Sequence, residues 1–458
     1  VSPVTESPSQ DAELVARGKA LREKVPRGSH AEWSPPKNRP DPVSLLEKQA
    51  EGRLPDLVPV RYGRMLASPF AFLRGSAIVM AADLAGTPTT GIRVQACGDA
   101  HLANFGIFAT PERNVVFDIT DFDETHPGPW EWDVKRLAAS FEVAGRHRNF
   151  GRARRRLAVL AMAESYKLRM REFAAMRTLD VWYARIDAQV VLDAMKERDK
   201  DAHRKMEKNL GKATARDHLQ AQSKLTEVVR GKRRFIETPP LLERVTFSGD
   251  REFVRKALSD YATTLQEDRR ELLSRFSLLD IARKVVGVGS VGTRCFIVLM
   301  QGRHDDDPLL LQVKEATASV LEPHLEKSRF ENHGQRVVEG QRLTQAASDI
   351  FLGWIRGRGE EHRDFYWRQL RDVKGSADLE TIEPGGLLFY GQFCGHVLAR
   401  AHARSGEAAM IAGYTGTGEA FTQAIADFAE AYADQTERDH EALTQAARAG
   451  RIKAKAGL

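Results

Sequence analysis

Two short apolar runs, Ile92–Ala96 and Val115–Ile119, each break into a polar loop. The first leads into Gly98-Asp99-Ala100-His101-Leu102-Ala103-Asn104-Phe105-Gly106, the second into Thr120-Asp121-Phe122-Asp123-Glu124. The pattern predicts two strands whose ends place an aspartate, an amide and two or three further carboxylates on neighbouring loops. Such a set suits phosphoryl transfer, whose loose transition state leaves a protein mainly to position an acceptor hydroxyl and to neutralise phosphate charge with Mg²⁺. Asp99 is the candidate to orient or deprotonate the acceptor. Asn104 would offer an amide oxygen to the metal and Asp121 the main anionic ligand, while Asp123 would add metal charge or hold the loop. A metal-dependent phosphoester hydrolase stays open beside it, with Asp99, His101, Asp121, Asp123 and His126 as ligands.

Much later comes Gly287-Val288-Gly289-Ser290-Val291-Gly292, between Val285-Val286 and the apolar run Cys295–Met300. A dinucleotide-binding reading would need a helix directly after Gly292, but Thr293–Val298 is β-branched and apolar. A glycine hairpin between two strands fits better, and its backbone N–H groups can approach phosphates without a Cβ in the way. Leu309–Glu315 reads as a following strand with Lys314 near its end.

Asp-x-His-x-x-Asn followed by Ile-x-Asp-Phe-Asp resembles the catalytic loop and metal-binding strand of the aminoglycoside and choline kinase-like phosphotransferases, which have the protein-kinase-like fold. The resemblance implies that Asp99 is the catalytic base, that His101 buttresses the loop, and that Asn104 and Asp121 hold Mg²⁺. It also implies that Asp133, in Trp130–Arg136, anchors the catalytic loop. Gly287, Gly289, Ser290 and Gly292 would cover the phosphates of ATP or GTP and Lys314 would bridge them, with Glu339 on the next helix as its ion-pair partner. The run from Arg61 to Phe141, with Phe72-Leu73-Arg74-Gly75 and Trp130–Arg136, further resembles the uncharacterised bacterial family numbered as domain of unknown function 2252.

Kinases place the glycine loop and lysine before the catalytic loop, and this chain places them after it. The expectation is an α+β, bilobal, protein-kinase-like fold, circularly permuted and carrying large helical insertions. An extended N-terminal arm, with room for a short helix over Glu13–Lys24, would span 1–50, a core with both carboxylate loops 51–150, and a charged helical region of the same lobe 151–280. A β-rich nucleotide-binding region would span 281–375, with Phe365–Asp372 a strand leading to a hinge near Lys374 and Gly375. Helices of 376–458 would return to the first lobe. Proline at positions 35, 36, 40 and 42 is the reason for reading the arm as extended.

Composition narrows the function classes. The formal charge of +6 arises from 69 basic and 63 acidic residues, so the overall balance does not demand a nucleic-acid partner. Only Lys196–Arg234, with 13 basic and 6 acidic residues, leaves a polyanion site open. The three cysteines are widely spaced, which excludes a disulfide framework and fits a reducing cytoplasm. No apolar stretch approaches the ~18 residues of a membrane span, and Val1–Gln10 lacks a signal-peptide pattern. Beyond nucleotide and an unidentified acceptor, no partner is implied. Arg74, with Arg61 and Arg64 nearby, is the candidate for a phosphate or substrate contact. A noncatalytic nucleotide-binding scaffold remains the third class.

Overall fold

The computed structural model describes residues 8–196, 204, 207, 211, 224–245, 251–357, 362–370, 374–375 and 377–455. The fold is mixed α+β, and its sheets are antiparallel. Strands β1 (Arg93–Ala96), β2 (Phe105–Ala109), β3 (Val115–Ile119), β4 (His126–Pro129) and β5 (Ile186–Asp187) lie in the first half of the chain. They are followed by the hairpin β6 (Thr226–Val229) and β7 (Lys232–Phe235), then β8 (Leu242–Arg244), β9 (Ser277–Lys284), β10 (Cys295–Gln301) and β11 (Pro308–Ala316). The last are β12 (Gly353–Arg356), β13 (Asp364–Gln369) and β14 (Lys374–Gly375).

Six of these form one sheet in the order β12-β13-β11-β10-β9-β8. β11, the only one of them buried along all nine residues, sits inside it. Its alternate side chains meet different partners, as a period of two requires. Leu309, Leu311 and Val313 join Val298 and Met300 against Tyr261 and Leu273 from the helices Arg251–Thr263 and Glu267–Ser274, and against Leu265 between them. Leu310, Ile297 and Leu299 face Phe235 and Leu242 instead. The helix His333–Thr344 connects β11 to β12.

The other unit is built on helices. Two small sheets, β1-β4 and β14-β2-β3-β5, share the largest core with helices Trp130–His147, Arg152–Ala174, Pro384–Ala403 and Ala420–Arg448. Trp130–Gly145 is buried without a break, so this helix is the axis of the unit. Gly395 lets Pro384–Ala403 lie directly on Arg152–Ala174, since a Cβ there would sit 2.2 Å from the Met162 carbonyl oxygen. After β13 the chain returns through β14, which pairs with β2. Among the described residues no helix is long and apolar enough to cross a membrane.

Two expectations need correction. Residues 8–50 form the helices Pro8–Lys24 and Pro42–Ala50 with a short 3₁₀ turn between them, docked on the helical unit. Proline is well tolerated in the first turn of a helix, and Pro42 occupies that place behind Asp41, whose carboxylate accepts the Ser44 N–H at 2.9 Å. Arg39 then fastens the segment by bridging Asp83 and Asp439. The sheet unit also starts earlier than residue 281, because β8, β9 and the helices of 251–274 pack into it. The Lys196–Arg234 stretch lies mostly outside the described residues, and its end is the β6–β7 hairpin rather than a helix.

Arg400 and Asp118 form a buried ion pair at 2.7 Å, each side chain 1% exposed. Removing one member of such a pair leaves an uncompensated charge, so Arg400→Met should cost roughly 3–5 kcal/mol in urea unfolding. Adding Asp118→Asn should recover part of that loss.

Candidate functional site

The first loop is held from behind. Both oxygens of the Asp133 carboxylate accept backbone N–H groups, from Cys97 at 2.6 Å and Gly98 at 2.9 Å. His402 Nε2 lies 3.2 Å from the same carboxylate, and its Nδ1 is 2.8 Å from the Tyr166 hydroxyl. Gly98 has φ +82°, and a Cβ there would lie 2.2 Å from the Glu124 carbonyl oxygen, so the two loops touch at a point only glycine permits. Cys97 is buried, and desolvation pushes its thiol pKa well up, which makes it a packing residue.

Asp99 points into the space in front of this loop. Arg136 Nε and Nη2 both reach its Oδ1, at 2.8 and 2.5 Å, while Oδ2 lies 3.7 Å from His101 Nε2. Burial lowers the His101 pKa to about 4, so near neutral pH the ring is an uncharged support. Asn104 donates Nδ2–H to the Asp99 carbonyl at 2.8 Å, leaving its amide oxygen for another partner. Its own carbonyl accepts Thr120 N–H at 2.8 Å, and Phe105 pairs with Ile119, so Asn104 sits across the ladder from the start of the second loop.

In that second loop, Asp121 Oδ1 accepts the Asp123 N–H at 3.1 Å. Burial favours the neutral acid, but the charges of Lys314 and Arg368 outweigh it and hold the Asp121 pKa below its ordinary value. Asp123 has a different task. Its Oδ2 receives Lys314 Nζ at 2.5 Å and Ser290 Oγ at 3.3 Å, and its Oδ1 receives the Tyr366 hydroxyl at 2.6 Å. It is thus occupied as a clamp between the units.

The expected Lys314–Glu339 pair is absent: Glu339 binds Arg342 at 3.0 Å, three residues further along its helix. The helix instead turns Arg336 to the site, where it donates to the Asp123, Thr125 and Thr317 carbonyls. His126 is also elsewhere, its Nε2 bonded to the Glu326 carbonyl. Among the described residues no group of three or more His, Cys, Asp or Glu side chains is arranged to hold a metal.

The glycine loop joins β9 to β10. Arg53 Nη1 donates to the Gly289 and Val291 carbonyls, Leu54 N–H to the Gly292 carbonyl, and Arg64 to the Gly287 carbonyl. Val291 is buried against Leu57 and Val60. The loop therefore leans on the N-terminal segment with its carbonyls turned that way. It meets Asp99, Asn104 and Asp121 around one pocket of about 160 Å³, whose wall also includes Arg53 and Arg74. The free oxygens of Asn104 and Asp121 are hard donors that fit Mg²⁺ completed by phosphate and water.

Sequence reading missed Arg136, Arg53, Tyr366, Arg368 and Arg336. Two signals were available. Arg136 is three residues after Asp133 on one helix, hence on the same face, and Tyr366 and Arg368 alternate on a strand.

Residues 53–446 match the family described as an uncharacterised protein conserved in bacteria, DUF2252. The chain belongs to this family. The DUF2252 region opens at Arg53, the residue that holds the glycine loop, and contains both carboxylate loops and Lys314. No curated protein and no solved structure matches the chain.

Glu124 gives this DUF2252 site a pH signature. Burial raises its pKa to about 7, although the Val320 N–H opposes the shift. Between the ordinary carboxyl value and pH 7 the folded state holds a proton that the unfolded state has released, so this group makes stability fall as pH rises through that window. Glu124→Gln should raise the melting temperature at pH 8, by the equivalent of at most about 3 kcal/mol, and the gain should fade towards pH 4.

Proposed function

We propose that this DUF2252 protein is a Mg²⁺-dependent phosphotransferase with a circularly permuted, kinase-like bilobal architecture, moving the γ-phosphoryl group of ATP or GTP to a hydroxyl acceptor. The observation that carries the reading is the meeting of Gly287–Ser290 with Asp99, Asn104 and Asp121 around one pocket, although the segments are far apart in the chain. Support comes from the sheet unit. In kinases a glycine loop joins two strands, the phosphate-binding lysine lies on the third, and a helix follows. Here the loop joins β9 and β10, Lys314 lies on β11, and His333–Thr344 follows.

On this reading the glycine-loop amides and Lys314 would hold the nucleotide phosphates, and Asn104 and Asp121 would hold Mg²⁺, which would supply neutralising charge for the transfer. Asp99 Oδ2, the oxygen Arg136 leaves, orients the acceptor O–H and takes its proton. The acceptor oxygen forms its bond to the γ-phosphorus as the bridging P–O bond breaks, and the nucleoside diphosphate leaves with that electron pair. The arginine on Asp99 favours a second reading, a nucleotide-binding scaffold without turnover, because one oxygen of that carboxylate is already taken up by an ion pair inside the protein. The hydrolase reading loses one of its two histidine ligands with His126.

Thermal melts with ATP, GTP and ADP test this. Wild type should gain several degrees with nucleotide plus Mg²⁺ at about a hundred times Kd, and Asp121→Ala and Lys314→Ala should each lose that gain. Asp99→Asn should keep the gain and lower turnover by about 10²–10⁴-fold. A gain in wild type with no turnover for any acceptor would favour the scaffold, and no gain at all would refute nucleotide binding.

A further inference from the structure

We propose that the acceptor is a small hydroxyl compound that also carries an anionic group, a carboxylate or a phosphate, held by Arg74 beside Asp99. The inference rests on the phosphotransferase reading and adds the chemical class of the acceptor to it.

Arg74 stands in the last turn of the helix Pro69–Gly75, and its side chain lines the pocket together with Asp99. The other arginines around this space are engaged. Arg136 holds Asp99 Oδ1, Arg53 holds glycine-loop carbonyls, and Arg336 holds the carbonyls of the second loop. Arg74 differs: its Nε is enclosed without a hydrogen-bond partner, and its nearest specific neighbour is the Phe70 ring, 5.9 Å from the guanidinium carbon. Asp99 lies close enough to be felt electrostatically, yet one of its oxygens already carries Arg136.

A guanidinium cannot shed its proton, and its flat fork of donors matches carboxylate and phosphate. A largely enclosed cation without a bonded anion on the wall of a binding pocket is therefore built to receive one from a ligand. A cationic acceptor would meet this charge unfavourably. The Arg74 carbonyl abuts Gly289, where a Cβ would lie 3.1 Å away, so the helix Pro69–Gly75 meets the glycine loop through its backbone and leaves the arginine side chain to the pocket. The N-terminal segment contributes Gln49, Arg53, Arg74 and Gly75 to the wall of this pocket of about 160 Å³, a size that suits a small acceptor.

The test uses the full chain, with and without Mg·ADP, titrated with glycerate, glycerol 3-phosphate, glycerol and choline while thermal midpoints are recorded. Saturable stabilisation by glycerate or glycerol 3-phosphate, absent with glycerol and choline, is the expected result, and the stronger of the two identifies the anion. Arg74→Met should weaken that response about tenfold or more, Arg74→Lys should restore part of it, and neither should alter the shift given by Mg·ADP. Because Arg74 has no bonded partner, the midpoint of ligand-free Arg74→Met should not fall, which separates lost binding from lost folding. The inference is overturned if no anion gives an Arg74-dependent response, or if glycerol or choline stabilises as well as the anions. It is also overturned if Arg74→Met removes the Mg·ADP shift, which would assign the arginine to the donor nucleotide. Failure of wild type to respond to Mg·ADP would instead refute the phosphotransferase reading, and the anion titration without nucleotide keeps the two failures apart.

Discussion

The ion pair between Lys314 and Asp123 is the contact on which the rest depends. A buried ammonium in the middle of a sheet is costly unless a carboxylate meets it, and here the carboxylate comes from the other unit of the fold. Tyr366 and Ser290 donate to the same group, so strands β11 and β13 and the glycine loop converge on one side chain of the second loop. The effect reaches Asp121 two residues earlier. Asp123 bonds Asp121 Oδ1 through its backbone, and the nearby lysine charge favours the ionised form of that acid, so the contact that joins the units also sets the charge on Asp121.

On the opposite side the helix Trp130–His147 supplies the counterpart. Asp133 fixes the backbone of the first loop, and Arg136, one helical turn on, fixes the side chain that loop presents. The carboxylates are thereby differentiated by environment. Asp99 keeps one oxygen free beside a neutral histidine, Asp121 keeps one free among positive charges, and Asp123 is spent on holding the units together.

Much of this arrangement was legible because it is local. Apolar runs ending in polar loops located Asp99, Asn104 and Asp121, and a glycine loop followed by β-branched residues located the β9–β10 hairpin and, one strand later, Lys314. What failed depended on packing between distant segments. Glu339 and Arg336 are three residues apart on one helix, and the helix comes close to the second loop at Gly340, where a Cβ would lie 2.4 Å from Thr125, so that Arg336 reaches the loop carbonyls while Glu339 pairs with Arg342. Nothing local announces that approach. The prolines before residue 43 fit helix starts as well as an extended arm, and docking through Arg39 to Asp83 and Asp439 favours the helices. Arg74 was a candidate from sequence, but its lack of a hydrogen-bonded partner at Nε is a property of the folded surroundings.

The central claim is that two loops distant in the chain form one nucleotide site. Hydrogen exchange of the full chain with and without Mg²⁺ and a non-hydrolysable ATP or GTP analogue tests it most directly. The account predicts that peptides covering 98–106, 119–124 and 285–293 gain protection together, with the same dependence on nucleotide concentration. Protection confined to one of these segments, or to none, would contradict it.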